Sequence, residues 1–177
     1  FYFDFPIEGN GKTEGLYFLG GYEAGREHQT SVFLNEARKL GLPLDFHIYC
    51  KDDRASKIFG NDGIIYLNRQ SILSFEQNLQ KVKNCLAVVD FVQFENYGLF
   101  FRVFDAPCFD KKLITSNQAV TECDFYHPDN IFIWDGESLD GLEDFFRRPY
   151  HPVSKEIKNK YAFGNWVRRI LDISDEA

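Results

Sequence analysis

Methionine is absent from all 177 residues, the first position included, and the chain opens abruptly on the aromatic string FYFDFP. Such an opening is expected of a piece of a longer protein. The four cysteines, Cys50, Cys85, Cys108 and Cys123, lie far apart, with no Cys-x-x-Cys pair and no histidine at metal-ligand spacing. That pattern excludes a disulfide framework and a structural zinc, so no metal is expected. The cysteines read as small, mostly buried side chains in a reducing, cytoplasmic compartment. No apolar run approaches the roughly 20 residues of a membrane helix, and no charged-then-apolar leader is present. Membrane contact is therefore expected to be peripheral at most, at the inner face of the inner membrane. Basic stripes are missing too: Lys111 and Lys112, and Arg147 and Arg148, are isolated pairs in a chain of formal charge -7. Nucleic-acid backbones need a basic face, so nucleic acid is not an expected partner. The GxSxG elbow, the Walker loop and the HExxH helix are all absent, which removes the commonest hydrolase, kinase and metalloprotease readings.

What is present is a foldable chain with 44% apolar, 17% aromatic and 27% charged residues. At this length it is long enough for one domain with its own core. Its organising stretch is 85–117, CLAVVDFVQFENYGLFFRVFDAPCFDKKLITSN. The near-continuous apolar runs at 85–92 and 113–116 suit strands buried on both faces of a parallel sheet, joined by a polar turn and a helix through Arg102 and Asp105. Before it, the spacing predicts a strand at 16–19, a helix at 26–40 closed by Gly41 and Pro43, and a strand at 44–50. The helix would place Val32, Phe33, Ala37 and Leu40 on or near one face. A loop with a short helical turn at 51–63, a strand at 64–67 and a helix to about 83 follow, the last opened by a Ser74/Gln77 capping box. A strand at 130–134, a short helix near 139–147 and a long helix at 154–171 complete the pattern, and residues 1–6 read as an edge strand or a segment lying on the sheet. Strands alternating with helices at this spacing give an α/β fold: a Rossmann-like three-layer sandwich, mostly parallel, of about five to six strands with a helical C-terminal tail. Residues 1–15 form a leading segment or linker, and 16–177 form the single domain.

Two loops carry candidate sites. In the first, Gly20, Gly21 and Gly25 would let backbone N–H groups approach a phosphate at a helix start, with Arg26 positioned for a bidentate contact. The spacing departs from GxGxxG and Glu23 would repel an anion, so an ordinary tight turn with a solvated arginine stands beside that reading. The second constellation is Glu95, Asn96, Gly98, Arg102 and Asp105, expected beyond the carboxyl end of a central strand, where open α/β sheets hold ligands. Arg102 and Asp105 are three apart on one helix and either simply pair or meet a phosphate and a ribose. Among the histidines, His47 reads as a satisfied strand residue, His28 lies in a first helical turn near Arg26, and His127 and His151 lie in turns.

The runs RVFDAPCFDKKLITSN and DFYHPDNIFIW, through Arg102, Phe104, Asp105, Ala106 and 111–115 to 124–132, resemble the C-terminal, donor-binding half of bacterial group 1-like glycosyltransferases of the GT-B type. They are more narrowly similar to lipopolysaccharide core and capsule biosynthesis proteins of Bacteroidetes type. Asp105 stands where that family has Glu, and Asp110 where it has a small residue. The resemblance implies a nucleoside diphosphate sugar as donor substrate, with no other cofactor. It also implies a saccharide or lipid-linked saccharide acceptor, and an N-terminal domain of the same protein that supplies the acceptor site. Arg26 and Arg102 would act on the departing diphosphate, and Asp105 would hold the ribose. A non-catalytic binding or scaffold domain that keeps the fold is the alternative. A third reading, a dehydrogenase, would need Asp52 or Asp53 at the end of the second strand.

Overall fold

The structure is a computed structural model that describes residues 13–92 and 98–172. Six strands form one sheet in the order β3-β2-β1-β4-β5-β6, with every pairing parallel. They are β1 (Glu14–Gly21), β2 (Leu44–Tyr49), β3 (Ile64–Leu67), β4 (Cys85–Asp90), β5 (Lys112–Thr115) and β6 (Ile131–Ile133). The helices are α1 (Glu27–Lys39), α2 (Arg54–Phe59), α3 (Phe75–Asn84), α4 (Phe101–Cys108), α5 (Leu142–Arg147), α6 (Lys155–Lys160) and α7 (Phe163–Ile170). The fold class expected from the sequence is the one observed. The segment 1–6 lies outside the described residues.

Alternation along the strands divides the core into two layers. Leu16, Phe18, Phe46, Ile48, Ala87 and Val89 face Phe33, Leu34 and Ala37 of α1 and Phe59 of α2. Tyr17, Val88 and Leu113 face Val82 of α3 and Val103 and Ala106 of α4, and Cys85, at the very start of β4 beside α3, joins them. Successive strand residues point to opposite faces, so a strand buried on both sides must be apolar at nearly every position, and β4 is. The first layer is unusually aromatic. Phe33 meets Phe46, Phe91 and Trp134 at ring-centroid distances of 5.8, 5.2 and 5.2 Å, contacts that contribute about 0.5–1.5 kcal/mol each beyond area burial.

Local signals set several boundaries. Ser74 and Gln77 form the reciprocal capping box at the start of α3. The polar segment after β2 contains α2, and Leu40, expected on the buried face of α1, is 39% exposed because it already lies beyond the last helical residue. The predicted helix at 154–171 is two helices. Tyr161 lies at the end of α6, its ring against Phe104 and Phe125 and its hydroxyl donating to Asp124. Asp110 adopts a left-handed φ of 52° at the end of α4, the conformation for which a glycine is the usual choice and Asp is tolerated. Lys112 fastens the tail to the sheet: its Nζ donates to the carbonyls of Asp129 and Arg148, each at 2.8 Å.

Two glycines separate conformational need from space. Gly63 has φ +72°, and a Cβ there would stand 2.4 Å from Leu44 Cβ. Gly41 has φ +66° at the end of α1, with nothing within 4 Å of such a Cβ. Gly63→Ala is expected to lower unfolding free energy by about 2–5 kcal/mol, left-handed strain plus overpacking, and Gly41→Ala by about 1–2 kcal/mol, the strain alone. Urea denaturation midpoints of the two variants check the order.

Candidate functional site: the divergence of β1 and β4

Strand order reverses between β1 and β4, so the loops leaving their carboxyl ends turn to opposite faces and open a crevice between them. β1 ends in Gly20 and Gly21, followed by a 3-10 turn at Ala24–Arg26 that leads into α1. β4 ends in Asp90, and α4 brings Arg102 back over the same place in its first turn. Neither α1 nor α4 has a side-chain cap at its N-terminus, whereas α3 and α6 are capped by Ser74 and Ser154. No side chain therefore competes for the N–H groups at these helix starts, where Val103 N–H donates to the Phe100 carbonyl and Glu27 N–H to the Ala24 carbonyl.

Arg102 spans the divergence. Its Nε donates to Asp90 Oδ1 at 3.1 Å, its Nη1 donates to the Leu19 carbonyl of β1, and its guanidinium carbon lies 5.2 Å from the centre of the Phe18 ring. Asp90 is 0% exposed, and its second oxygen accepts from the Thr115 hydroxyl at 3.1 Å. The possible Arg102–Asp105 helix pair is therefore not the one formed. The carboxylate at the end of β4 is fully buried and has more to gain from a cation than one along α4.

Arg26 is not a solvated arginine: it is 8% exposed and donates from Nη2 to the Gly21 carbonyl at 2.9 Å. Its pKa is held below the ordinary arginine value, first by burial and then by the positive charge of Arg102, with Glu23 and Asp90 acting the other way. The two arginines expected to act together are thus neighbours, and their charges oppose each other. The glycines of the first loop differ in role. A Cβ on Gly20 would strike the Phe18 ring at 2.7 Å, so Gly20 makes room for an aromatic floor, while Gly21, Gly25 and Gly98 face open space. Glu95 and Asn96 lie outside the described residues.

Asp105 is buried on α4, one turn beyond Arg102, at 9% exposure. Desolvation pushes its carboxyl pKa up to about 6, against the opposing pull of Arg102, and no described side chain donates a hydrogen bond to it. Nearby, Tyr17 donates from its hydroxyl to Asn78 Oδ1 at 2.8 Å; burial is the main cause of its raised pKa, with Asp105 a smaller contributor.

Sequence reading missed Asp90 and Thr115, although a lone acid closing the apolar run CLAVV is itself a signal, since a charge there must find a partner. It also missed two surface cavities of about 460 and 380 Å3 that share Tyr49, Cys50 and Lys51 at the end of β2. The larger is completed by Asn68, Arg69 and Gln70 beyond β3. The smaller reaches Gly21, Tyr22 and Glu23, and so adjoins the loop that carries Arg26. Asp52, the acid a dehydrogenase would present, is held by Arg54, whose Nε lies 2.9 Å from Oδ2. His47 is buried and paired with Asp45 at 2.8 Å, and His28 is exposed on α1. His127 and His151 stack on each other with ring centroids 4.1 Å apart. Among the described residues no group of three or more His, Cys, Asp and Glu could hold a metal ion, and no helix is long and apolar enough to cross a membrane.

These features define an open, doubly wound α/β domain with two arginines at its topological switch point. Its fold is shared with UDP-GlcNAc 2-epimerase from Methanocaldococcus jannaschii, solved in complex with UDP-GlcNAc and UDP. The TM-score is 0.56 at 12% identity, over 93% of this chain and 47% of that one. A second structure of the same enzyme gives 0.54 at 11% identity, over 98% and 48%. AviGT4, a glycosyltransferase involved in avilamycin A biosynthesis, gives 0.50 at 13% identity, over 92% and 53%. The chain spans about half the length of these neighbours, and at such identities the likeness establishes a glycosyltransferase-like fold and nothing finer. No protein-family model matches the chain, and no curated protein sequence matches it.

Burial of Asp105 has a consequence for stability. Its folded pKa lies above the ordinary 3.8, so the fold favours the protonated form. That contribution is complete below about pH 4 and lost as pH rises through about 6. The cost at neutral pH is up to about 3 kcal/mol, at 1.36 kcal/mol per pH unit. Asp105→Asn, which mimics the protonated acid, is expected to raise the melting temperature at pH 7 and to leave it nearly unchanged at pH 4, as thermal denaturation across that range will show.

Proposed function

We propose that this chain is the nucleotide-sugar-binding domain of a glycosyltransferase. The observation that carries the reading is the neighbouring pair of guanidiniums, Arg26 and Arg102, at the switch point. Asp90, fully buried, is paired with Arg102, and the adjoining helix starts have no side-chain cap. A diphosphate is the ligand that such a site suits: it brings two phosphates to two arginines and to N–H groups that no side chain occupies.

The rest of a nucleoside diphosphate sugar has places to go. Asp105, one turn behind Arg102, is the acid available to a ribose diol. The cavities beyond β2 and β3, lined by Tyr49, Asn68 and Gln70, offer an aromatic ring and two amides to a base. In transfer, the bond from the sugar's anomeric carbon to the diphosphate oxygen breaks while the acceptor oxygen bonds to that carbon and releases its proton. Arg26 and Arg102 stabilise the negative charge that collects on the leaving diphosphate, an electrostatic contribution made by groups already in place. The acceptor, a saccharide or lipid-linked saccharide, would be bound by a second domain of a longer protein. The epimerase that shares the fold binds UDP-GlcNAc and UDP, and the resemblance of 102–134 to lipopolysaccharide core and capsule proteins supports a role in surface-polysaccharide assembly.

One observation favours a second reading, a scaffold that keeps the fold without the chemistry. Both guanidiniums already donate to protein carbonyls, Arg26 to Gly21 and Arg102 to Leu19, so a diphosphate must compete for them or take their remaining N–H groups. Calorimetric titration of the chain with UDP, GDP and CDP separates the two. The donor-binding reading expects saturable binding of at least one of them, weakened at least tenfold by Arg102→Lys, which keeps a cation beside Asp90 but removes the forked donors, with the fold checked by circular dichroism. Absence of saturable binding to all three would leave the scaffold.

A further inference from the structure

Arg102 has five N–H groups, and the structure shows how two of them are used. Nε goes to Asp90 and Nη1 to the Leu19 carbonyl, while the side chain as a whole stays 24% exposed. Nη2, which lies between the two engaged nitrogens, has no partner among the described residues. Asp90 is itself fixed. Its second oxygen takes the Thr115 hydroxyl hydrogen, and that hydroxyl in turn accepts the Asn117 N–H at 3.0 Å, so its single hydrogen is committed to Asp90. Thr115 is 1% exposed and is the direct partner of Asp90 in the β4–β5 register. Just beyond these strand ends the chain is fastened again, since the Val92 N–H donates to Ser116 Oγ at 2.9 Å.

We propose that Asp90 and Thr115 are positioning residues for the anion site: together they set the rotation of the Arg102 guanidinium so that Nη2 is presented to a diphosphate in the crevice between β1 and β4. This rests on the donor-binding reading above for the identity of the anion, but the orientation itself is a property of the ligand-free protein.

The idea makes a prediction opposite in sign to simple charge counting. Asp90 is a full negative charge in contact with the cation that would bind a diphosphate. If only its charge mattered, Asp90→Asn would strengthen anion binding by removing a repulsion. A positioning role requires the reverse, because an amide is a weaker acceptor and leaves the guanidinium free to rotate. Thr115→Val keeps the shape of the side chain and removes only the hydroxyl that orients Asp90, and Thr115→Ser puts the hydroxyl back.

Two measurements on the whole chain decide it. In UDP titrations, Asp90→Asn is expected to weaken binding at least tenfold and Thr115→Val at least threefold, with Thr115→Ser recovering most of the affinity lost in Thr115→Val. In ligand-free protein, the Arg102 Nε–H nitrogen resonance, assigned by its loss in Arg102→Lys, is expected to exchange slowly with water. Exchange should speed up at least tenfold in Asp90→Asn and measurably in Thr115→Val. Unchanged or tighter UDP binding by Asp90→Asn overturns the proposal while leaving the donor-binding reading intact. If wild type does not bind UDP, the donor-binding reading loses its ligand and the exchange rates alone decide: faster exchange in both variants upholds the orientation, unchanged exchange overturns it. Should Asp90→Asn fail to fold, the threonine pair decides both measurements.

Discussion

The contact between Arg102 and Asp90 holds this structure together at the place where its two halves part. A carboxylate with no exposure at all costs several kcal/mol to bury unless it is paired and hydrogen-bonded, and Asp90 meets both needs, with a guanidinium on one oxygen and a hydroxyl on the other. The same guanidinium reaches the carbonyl of Leu19 on β1. One side chain therefore ties β4 to β1 across the switch point and anchors the first turn of α4.

Beneath that contact lies an aromatic floor. Phe18 supports the guanidinium from below, stacks on Phe46 and meets Phe91 at a tilt, with ring centroids 5.2 Å apart in each pair, and Phe91 continues to Trp134 at 5.6 Å. Aromatic packing excludes water from one side of the charged groups, and in such surroundings each charge interaction is stronger than it would be in bulk solvent. Gly20 belongs to this floor, because its missing side chain is what lets the Phe18 ring lie across the strand end. Asp105 shows the opposing demand: a carboxylate held in a dry place on α4, where burial pushes it toward its neutral form.

Much of the fold is legible in the chain. The apolar run CLAVV specifies a strand buried on both faces, the Ser74 and Gln77 pair specifies where α3 begins, and Gly41 with Pro43 specifies where α1 must stop. Each is a local rule acting over a few residues. Where local rules misled, a distant contact had overruled them. The expected terminal helix breaks at Tyr161, whose ring packs against Phe104 and Phe125. Arg102 did not take Asp105, three residues away on its own helix, because Asp90 is more deeply buried. Arg26, for which a solvated side chain is one of two readings, is buried and turned back to Gly21.

The sequence alone determined the alternation of strands and helices, their approximate ends and the presence of two glycine-bearing loops with arginines close behind them, since periodicity, capping and turn chemistry all act between near neighbours. Only the tertiary structure decided which charges meet, which glycines make room for rings rather than leave open space, and which acid is forced toward its neutral form. Those outcomes depend on burial and on contacts such as that of Arg102 with Leu19, 83 residues apart in the chain, and no pattern of neighbouring residues encodes them.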